Sequence, residues 1–298
     1  MRIVFFANSI VALPVFQFLA LNRWVVGICM TEKEFDQKQQ FIQIAEWSQI
    51  PVLEISTHKF EDPLVHWLKE IQPSLGLVFT FSLKIPKSVI NSVKDGFFNI
   101  HFGKLPDYRG PEPLFWNMVN QEKEVVITLH KMTDKFDSGP IALEDPLPVM
   151  SHENYGSLQL RLSNRAVNIV NCFMQQLGEG SLVLTKQTLK KSNTYSRPQL
   201  EDVKINWEKQ NATEISALVR AVNPWNKGAI TYGGEVMVKI ILIRVISESS
   251  LQVDKTPGTV LEITNKDHLD IATLNGGVIR VEALYLEEGY ISPQEFIN

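Results

Sequence analysis

Cysteine is scarce in this 298-residue chain: Cys29 and Cys172 stand far apart, each in an apolar context. They make neither a disulfide framework nor the paired spacing of a metal site, which suits a reducing, cytoplasmic setting. Long apolar runs are missing too, with no stretch of about 18 uninterrupted apolar residues, so no membrane span is expected. The apolar start, MRIVFFANSIVALPVFQFLAL, is broken by Asn8, Ser9 and Pro14. It lacks the positive n-region and small-residue cleavage site of a secretion signal, and a buried strand turning into a helix is the better reading. No dense basic run occurs, and 29 Lys plus Arg against 33 Asp plus Glu leave a net charge of −4. That balance argues against a chain built mainly to hold nucleic acid. The first strand is followed by Ala7-Asn8-Ser9 and not by GxGxxG, and HExxH, GxSxG and Walker patterns are absent. Dinucleotide-binding, zinc-protease, nucleophile-elbow and P-loop readings fall with them.

What is present is a regular alternation. Arg2–Phe6, Trp24–Met30, Leu75–Phe81 and Gly96–His101 read as strands, with helical patterns at Ile10–Leu21, Phe35–Ser48, His58–Ile71 and Pro86–Val93 between them. Near-continuous apolar strands alternating with helices predict a parallel sheet covered on both faces. Helix Pro113–Val119 follows, then strand Val125–Met132 with Ile141–Val149 as its hairpin partner, then the longest helix, Tyr155–Leu177, ended by Gly178–Gly180. Ser181–Lys209 is polar and mixed, as linkers are. Beyond it lies helix Ala212–Val222, capped by Asn211 or Thr213. Five short strands come next, Ala229–Tyr232, Val236–Val245, Gly258–Ile263, His268–Ala272 and Val278–Leu286, with turns at Gly233-Gly234 and Gly276-Gly277. The expected architecture is a Rossmann-like α/β N-terminal domain over residues 1–180, a linker over 181–209 and a smaller C-terminal OB-like β-barrel over 210–298.

Chemistry concentrates between Phe97 and Pro140. Asn99 and His101 end a strand two residues apart, so amide and imidazole project to the same face. Gly103, Pro106, Gly110, Pro111 and Pro113 then impose a structured loop. Asp137 supplies a carboxylate able to orient or charge the ring. An amine attacking a carbonyl needs a proton acceptor, donors to the developing oxyanion and a group that holds the base in its tautomer. These three residues fill those roles with neither metal nor covalent nucleophile. The plainer reading of His130, in VVITLHKM, is a polar strand face, and of Asp134 a solvated turn residue. Trp116 and Trp225 read as packing residues.

Taken together these stretches resemble the 10-formyltetrahydrofolate-dependent formyltransferases. The signature stands here as Asn99-Ile100-His101, Gly103-Lys104-Leu105-Pro106-Asp107-Tyr108-Arg109-Gly110 and Asp137-Ser138-Gly139. KINWEKQNATEISALVRAVNPWNKGAITY and PGTVLEI through EALYLEEGYISPQEFIN are similar to the C-terminal domain of the methionyl-tRNA formyltransferases. The resemblance implies that Asn99 and His101 polarise the formyl oxygen and that Asp137 pairs with His101 and assists proton removal. It implies a pterin held by Phe81, Ser82, Leu83, Lys84 and Ile85 and by Lys135, Phe136 and Gly139, largely through main-chain groups. Lys104, Tyr108 and Arg109 would face the acceptor.

Two departures bear on that acceptor. Gly103 replaces the usual serine and Lys104 a leucine, so a hydroxyl is lost and a cation gained. The basic, Gly-rich insertion that the tRNA enzymes carry after the second strand is reduced here to TEKEFDQKQQ, Thr31–Gln40. Capturing the phosphates of a tRNA calls for such cations. A small primary amine, such as the amino group of a nucleotide-linked sugar, is therefore expected, with tRNA the less favoured partner although the C-terminal domain speaks for it. A non-catalytic folate-binding or nucleic-acid-binding relative is the third reading, opposed by the joint presence of Asn99, His101 and Asp137.

Overall fold

The computed structural model describes residues 1–56, 60–188, 193–248, 255–264, 268–287, 289–293 and 296. The expected start of a helix at His58 lies outside them. The chain packs as two compact units: Met1–Pro113 with Glu124–Leu147 and Gln159–Tyr195, and Leu114–Lys123 with Pro148–Leu158 and Ser196–Asn298.

In the first unit β1 (Ile3–Ala7), β2 (Val25–Thr31), β3 (Val52–Ile55), β4 (Leu75–Phe79), β5 (Phe97–His101), β6 (Glu124–Lys131) and β7 (Ile141–Pro148) form one sheet in the order β3-β2-β1-β4-β5-β6-β7. The first five are parallel, and β6 runs antiparallel to β5. Every residue of β1 and β4 is buried, which is why both read as unbroken apolar runs. Helices α1 (Leu13–Leu21), α2 (Lys38–Trp47), α3 (Glu61–Ile71) and the short α4 (Lys87–Ile90) connect the parallel strands. Leu64 and Leu68 of α3 and Val89 of α4 join Val4, Phe6, Val78 and Phe97 in one core cluster. β4 stops at Phe79, two residues earlier than its composition suggests, because Thr80 takes a left-handed backbone at φ 59°. β1 has β2 on one side and β4 on the other, so the strand order reverses there. In open sheets ligands bind outside the carboxyl ends of the strands at such a point.

Helix α5 (Pro113–Val119) opens the first segment that joins the second unit, and α6 (Tyr155–Glu179) passes from the second unit into the first. Within the first unit α6 buries Leu162, Ala166, Ile169, Val170 and Phe173 at helical spacing, and Phe173 packs on Phe98 with ring centroids 4.7 Å apart.

The second unit holds α7 (Ala212–Ala221), β8 (Ala229–Gly233), β9 (Val236–Ser247), β10 (Val260–Thr264), β11 (His268–Ala272), β12 (Val278–Leu286) and β13 (Gly289–Ile291). Its strands pair antiparallel in the order β10-β11-β12-β9-β8, with β13 on β12, and curl into a half-barrel. Of the two candidate caps, Asn211 is the one used. Its Oδ1 accepts from the Glu214 N–H at 3.0 Å, and Glu214 Oε2 accepts from the Asn211 N–H at 2.8 Å. Trp116 and Trp225 pack against Phe115 at 4.9 and 5.9 Å between ring centroids. The turn at Gly276-Gly277 is a 3₁₀ turn in which Asn275 and Gly276 have positive φ. Among the described residues no helix is long and apolar enough to cross a membrane.

Candidate active site

Antiparallel pairing of β5 with β6 sets Asn99 opposite His130 and His101 opposite Thr128. Directly opposed residues share a face, so four polar side chains gather on one side of an otherwise apolar strand pair. His101 is 6% exposed and Thr128 fully buried. Thr128 Oγ1 donates to the Gly103 carbonyl at 2.8 Å, which ties the loop after β5 to β6.

The His101 ring lies with Nε2 2.6 Å from the Tyr108 carbonyl. A carbonyl only accepts, so Nε2 carries the proton and Nδ1 is left with a lone pair in the neutral ring. Nδ1 faces Asp137 Oδ1 at 3.9 Å. Burial pushes the His101 pKa below its ordinary 6.5, outweighing the Asp137 charge and the Tyr108 carbonyl, which both favour the imidazolium.

Asp137 sits in the turn after β6 with φ 47°, a left-handed conformation. Its Oδ2 accepts from the Gly110 N–H at 2.9 Å, and its Oδ1 lies 3.5 Å from His130 Nε2. Burial alone would raise its pKa. The His130 hydrogen bond, the His101 charge, the Gly110 N–H and the His130 charge reverse this and hold it at about 2. The turn and the loop need their glycines: a Cβ on Gly139 would fall 1.8 Å from the Lys131 carbonyl, and one on Gly110, at φ 115°, 2.1 Å from that of Tyr195.

His130, expected as a polar strand face, is instead 2% exposed and central. Its Nδ1 is 3.2 Å from the Lys131 carbonyl, to which the ring N–H donates. Nε2 stands between Asn99 Nδ2 at 3.2 Å and Asp137 Oδ1 at 3.5 Å, so it accepts from the amide when neutral and donates to the carboxylate when protonated. The sequence holds a signal for this: Thr128 and His130 alternate with apolar residues in the same rhythm as Asn99 and His101.

The segments expected at the pterin do come together. Lys84 Nζ lies 5.6 Å from the centre of the Phe136 ring, bridging 81–85 to 135–139. Phe81 meets Phe6 edge-on at 5.2 Å, and Leu83 and Ile85 pack on the core, while Ser82, Lys84, Lys135 and Phe136 are exposed. Asn8, at the end of β1, accepts from the Thr31 N–H at 2.9 Å and donates to Ser82 Oγ at 3.0 Å. It thereby laces the ends of β1 and β2 to the segment after β4. Of the residues expected to face the acceptor, Lys104 is exposed, and its charge opposes the rise that burial gives the Glu144 carboxyl. Tyr108 and Arg109 turn inward. The Tyr108 ring stacks on Tyr195 at 5.4 Å, and Arg109 Nη2 donates to Gln187 at 2.6 Å.

An amide, two imidazoles and an ionised carboxylate at the carboxyl end of a sheet fit general acid–base chemistry at a carbonyl. Comparison with known proteins agrees. The chain matches the family described as formyl transferase over residues 22–172 and the formyl transferase C-terminal domain over residues 199–298. The methionyl-tRNA formyltransferase of Marinobacter nauticus is 30% identical over 244 residues, 82% of this chain and 76% of that protein. Among solved structures, the N-formyltransferase from Helicobacter canadensis, in complex with folinic acid and dTDP-3-aminofucose, superposes with a TM-score of 0.73 at 19% identity. The match covers 94% of this chain and 98% of that one. A sugar 3N-formyl transferase solved with dTDP and 5-N-formyl-THF gives 0.71 at 19% identity, covering 95% and 97%. Sequence match over both units, with the fold to accompany it, makes this chain a member of the formyltransferase family, an enzyme that moves formyl groups.

Proposed function

We propose that the enzyme transfers a formyl group from 10-formyltetrahydrofolate to a primary amine on a small acceptor, such as an amino-sugar nucleotide. The observation that carries the chemistry is the convergence of Asn99, His101 and Asp137, with His101 Nδ1 and Asp137 Oδ1 3.9 Å apart. The backbone of 81–85 and of 135–139, joined by the Lys84–Phe136 contact, suits a flat heterocycle bound through main-chain groups. Bound there, the donor supplies an activated formyl carbon. The Asn99 amide donates to the formyl oxygen as negative charge grows on it. His101, kept neutral by burial, takes the proton from the attacking amine at Nδ1 and returns it to N10 of the departing tetrahydrofolate as the carbon–N10 bond breaks. Asp137 remains ionised and stabilises the imidazolium that results. His130 fixes the amide of Asn99 from behind.

For the acceptor, the supporting observation lies between β2 and α2. The charged side chains there are Glu32, Lys33, Glu34 and Asp36. Lys38 is buried and spent on Glu54 at 2.8 Å and Glu34 at 3.7 Å. A net acidic loop repels a polyphosphate backbone. The dTDP-3-aminofucose in the Helicobacter canadensis structure is an acceptor class of the size proposed. Methionyl-tRNA is the second reading, favoured by the Marinobacter nauticus relative.

The test offers purified enzyme and 10-formyltetrahydrofolate either dTDP-3-aminofucose or methionyl initiator tRNA. Formylation of the amino sugar is expected. Formylation of the tRNA alone would replace the acceptor and keep the chemistry. His101→Ala is expected to abolish transfer with 5-formyltetrahydrofolate affinity near normal, and full turnover in that variant would remove His101 from its role.

A further inference from the structure

Asp137 is a non-glycine residue in a left-handed turn, at φ 47°, and its carboxylate must nevertheless stay aimed at His101. Part of the restraint is local, with Ser138 Oγ donating to the Lys135 carbonyl at 3.0 Å. Another part comes from a stretch that the sequence marks only as polar linker. Residues 181–188 and 193–195 return across the turn and the loop after β5. Thr185 and Ile141 exchange two backbone hydrogen bonds of 2.8 Å. Farther along, Arg109 N donates to the Asn193 carbonyl at 3.3 Å and Tyr195 N to the Arg109 carbonyl at 2.9 Å. Between these anchors in the chain lies Gln187. Its Nε2 donates to the carbonyls of Asp137 at 2.9 Å and of Gly139 at 2.7 Å, and its Oε1 accepts from Arg109 Nη2 at 2.6 Å.

From this geometry we infer that Gln187 is a positioning residue for catalysis, its amide clamping the Asp137-Ser138-Gly139 turn so that the Asp137 carboxylate holds its place between Gly110, His130 and His101. One side chain uses both N–H donors on the turn and its oxygen on the neighbouring loop. It therefore locks the carboxylate to the loop whose Gly110 N–H and Tyr108 carbonyl complete the site. The inference rests on the catalytic role given to Asp137, and the chemistry of the amide makes it separable from plain structural support. The carboxylate of a Gln187→Glu variant would still accept from Arg109, as an ion pair, but would have no N–H for the two carbonyls.

The experiment compares wild type, Gln187→Glu, Gln187→Leu and Asp137→Asn. It measures formyl transfer from 10-formyltetrahydrofolate to dTDP-3-aminofucose and to methionyl-tRNA, the thermal midpoint, and a crystal structure of Gln187→Glu. The expected result is a Gln187→Glu enzyme that stays folded with its midpoint lowered no more than that of Gln187→Leu, an acceptor KM within about twofold and a kcat down about 100-fold, the cost of displacing a catalytic group by a fraction of its reach. Its crystal structure should show the Asp137 carboxylate off the Gly110 N–H. Wild-type kcat in Gln187→Glu, with Gln187→Leu merely less stable, would reduce Gln187 to a structural link to Arg109 and overturn the inference. So would crystals in which Asp137 has not moved, whatever the acceptor. An Asp137→Asn enzyme of full activity would instead strike at the catalytic reading, leaving the clamp itself to be judged from the crystal structure.

Discussion

At the scale of single residues, the site is a contest between burial and charge for each titratable group. His101 loses more from desolvation than it gains from Asp137, so its folded pKa lies below 6.5. The unfolded chain binds a proton at this ring where the folded one does not. This contribution to stability is whole above pH 6.5 and is lost as pH falls through that value toward the folded pKa. For catalysis the neutral ring is the working form. The acid limb of kcat/KM is expected below pH 6.5 with Asp137 intact, and a limb above 6.5 in a pH–rate profile would contradict it. His130 acts on both neighbours. His130→Ala should let the Asp137 carboxyl titrate above about 2, visible by NMR of the side-chain carboxylate, because its strongest stabilising bond is gone. Turnover should fall roughly tenfold, short of the roughly 10²–10³ that deleting an oxyanion donor outright costs, since Asn99 is loosened and not removed. An unchanged Asp137 titration would show that the 3.5 Å contact carries little.

Among elements, the loop after β5 shows how a family position can be re-set. A Cβ at Gly103 would lie 2.7 Å from Pro113 Cβ, 2.9 Å from Tyr108 Cβ and 3.0 Å from the Tyr108 carbonyl oxygen, which accepts the hydrogen bond from His101 Nε2–H. Restoring the serine usual in the family, Gly103→Ser, is expected to destabilise the enzyme by about 1–3 kcal/mol through overpacking and to lower kcat by pushing the Tyr108 carbonyl. Denaturant unfolding and steady-state rates measure the two effects, and a serine variant as stable and as fast as wild type would refute the crowding. α7 offers a contrasting case. Asn211→Ala removes one member of a reciprocal cap and should cost about 1 kcal/mol, read by urea denaturation. The Asn99–His101 strand end was legible in the sequence because period-two geometry is local. The role of His130 was not, since it depends on which residue of β6 lies opposite Asn99, and that register is fixed by strand pairing and two packed faces. Gln187 was hidden for a similar reason: a polar residue in a polar stretch carries no mark of the carbonyls it will meet.

For the molecule as a whole, acceptor choice is a matter of charge and reach. The acidic loop after β2 predicts that raising ionic strength will leave transfer to a dTDP-amino sugar changed far less than any transfer to tRNA, whose binding falls steeply with salt. A steep salt dependence with the amino sugar would count against the loop as the selecting feature. The sequence by itself determined the alternation of most strands and helices, though not the short β3 and β13, the apolar runs buried on both faces, and the N-x-H strand end with its glycine-rich loop. These depend on periodicity and on backbone limits of Gly and Pro, which act over a few residues. Only the tertiary structure decided that segments 114–123 and 148–158 join the second unit, that His130 stands behind Asn99, and that Gln187 holds the turn at Asp137. Each of these is a pairing of polar or apolar groups distant along the chain, selected by the free energy of packing the whole and by no property of either partner alone.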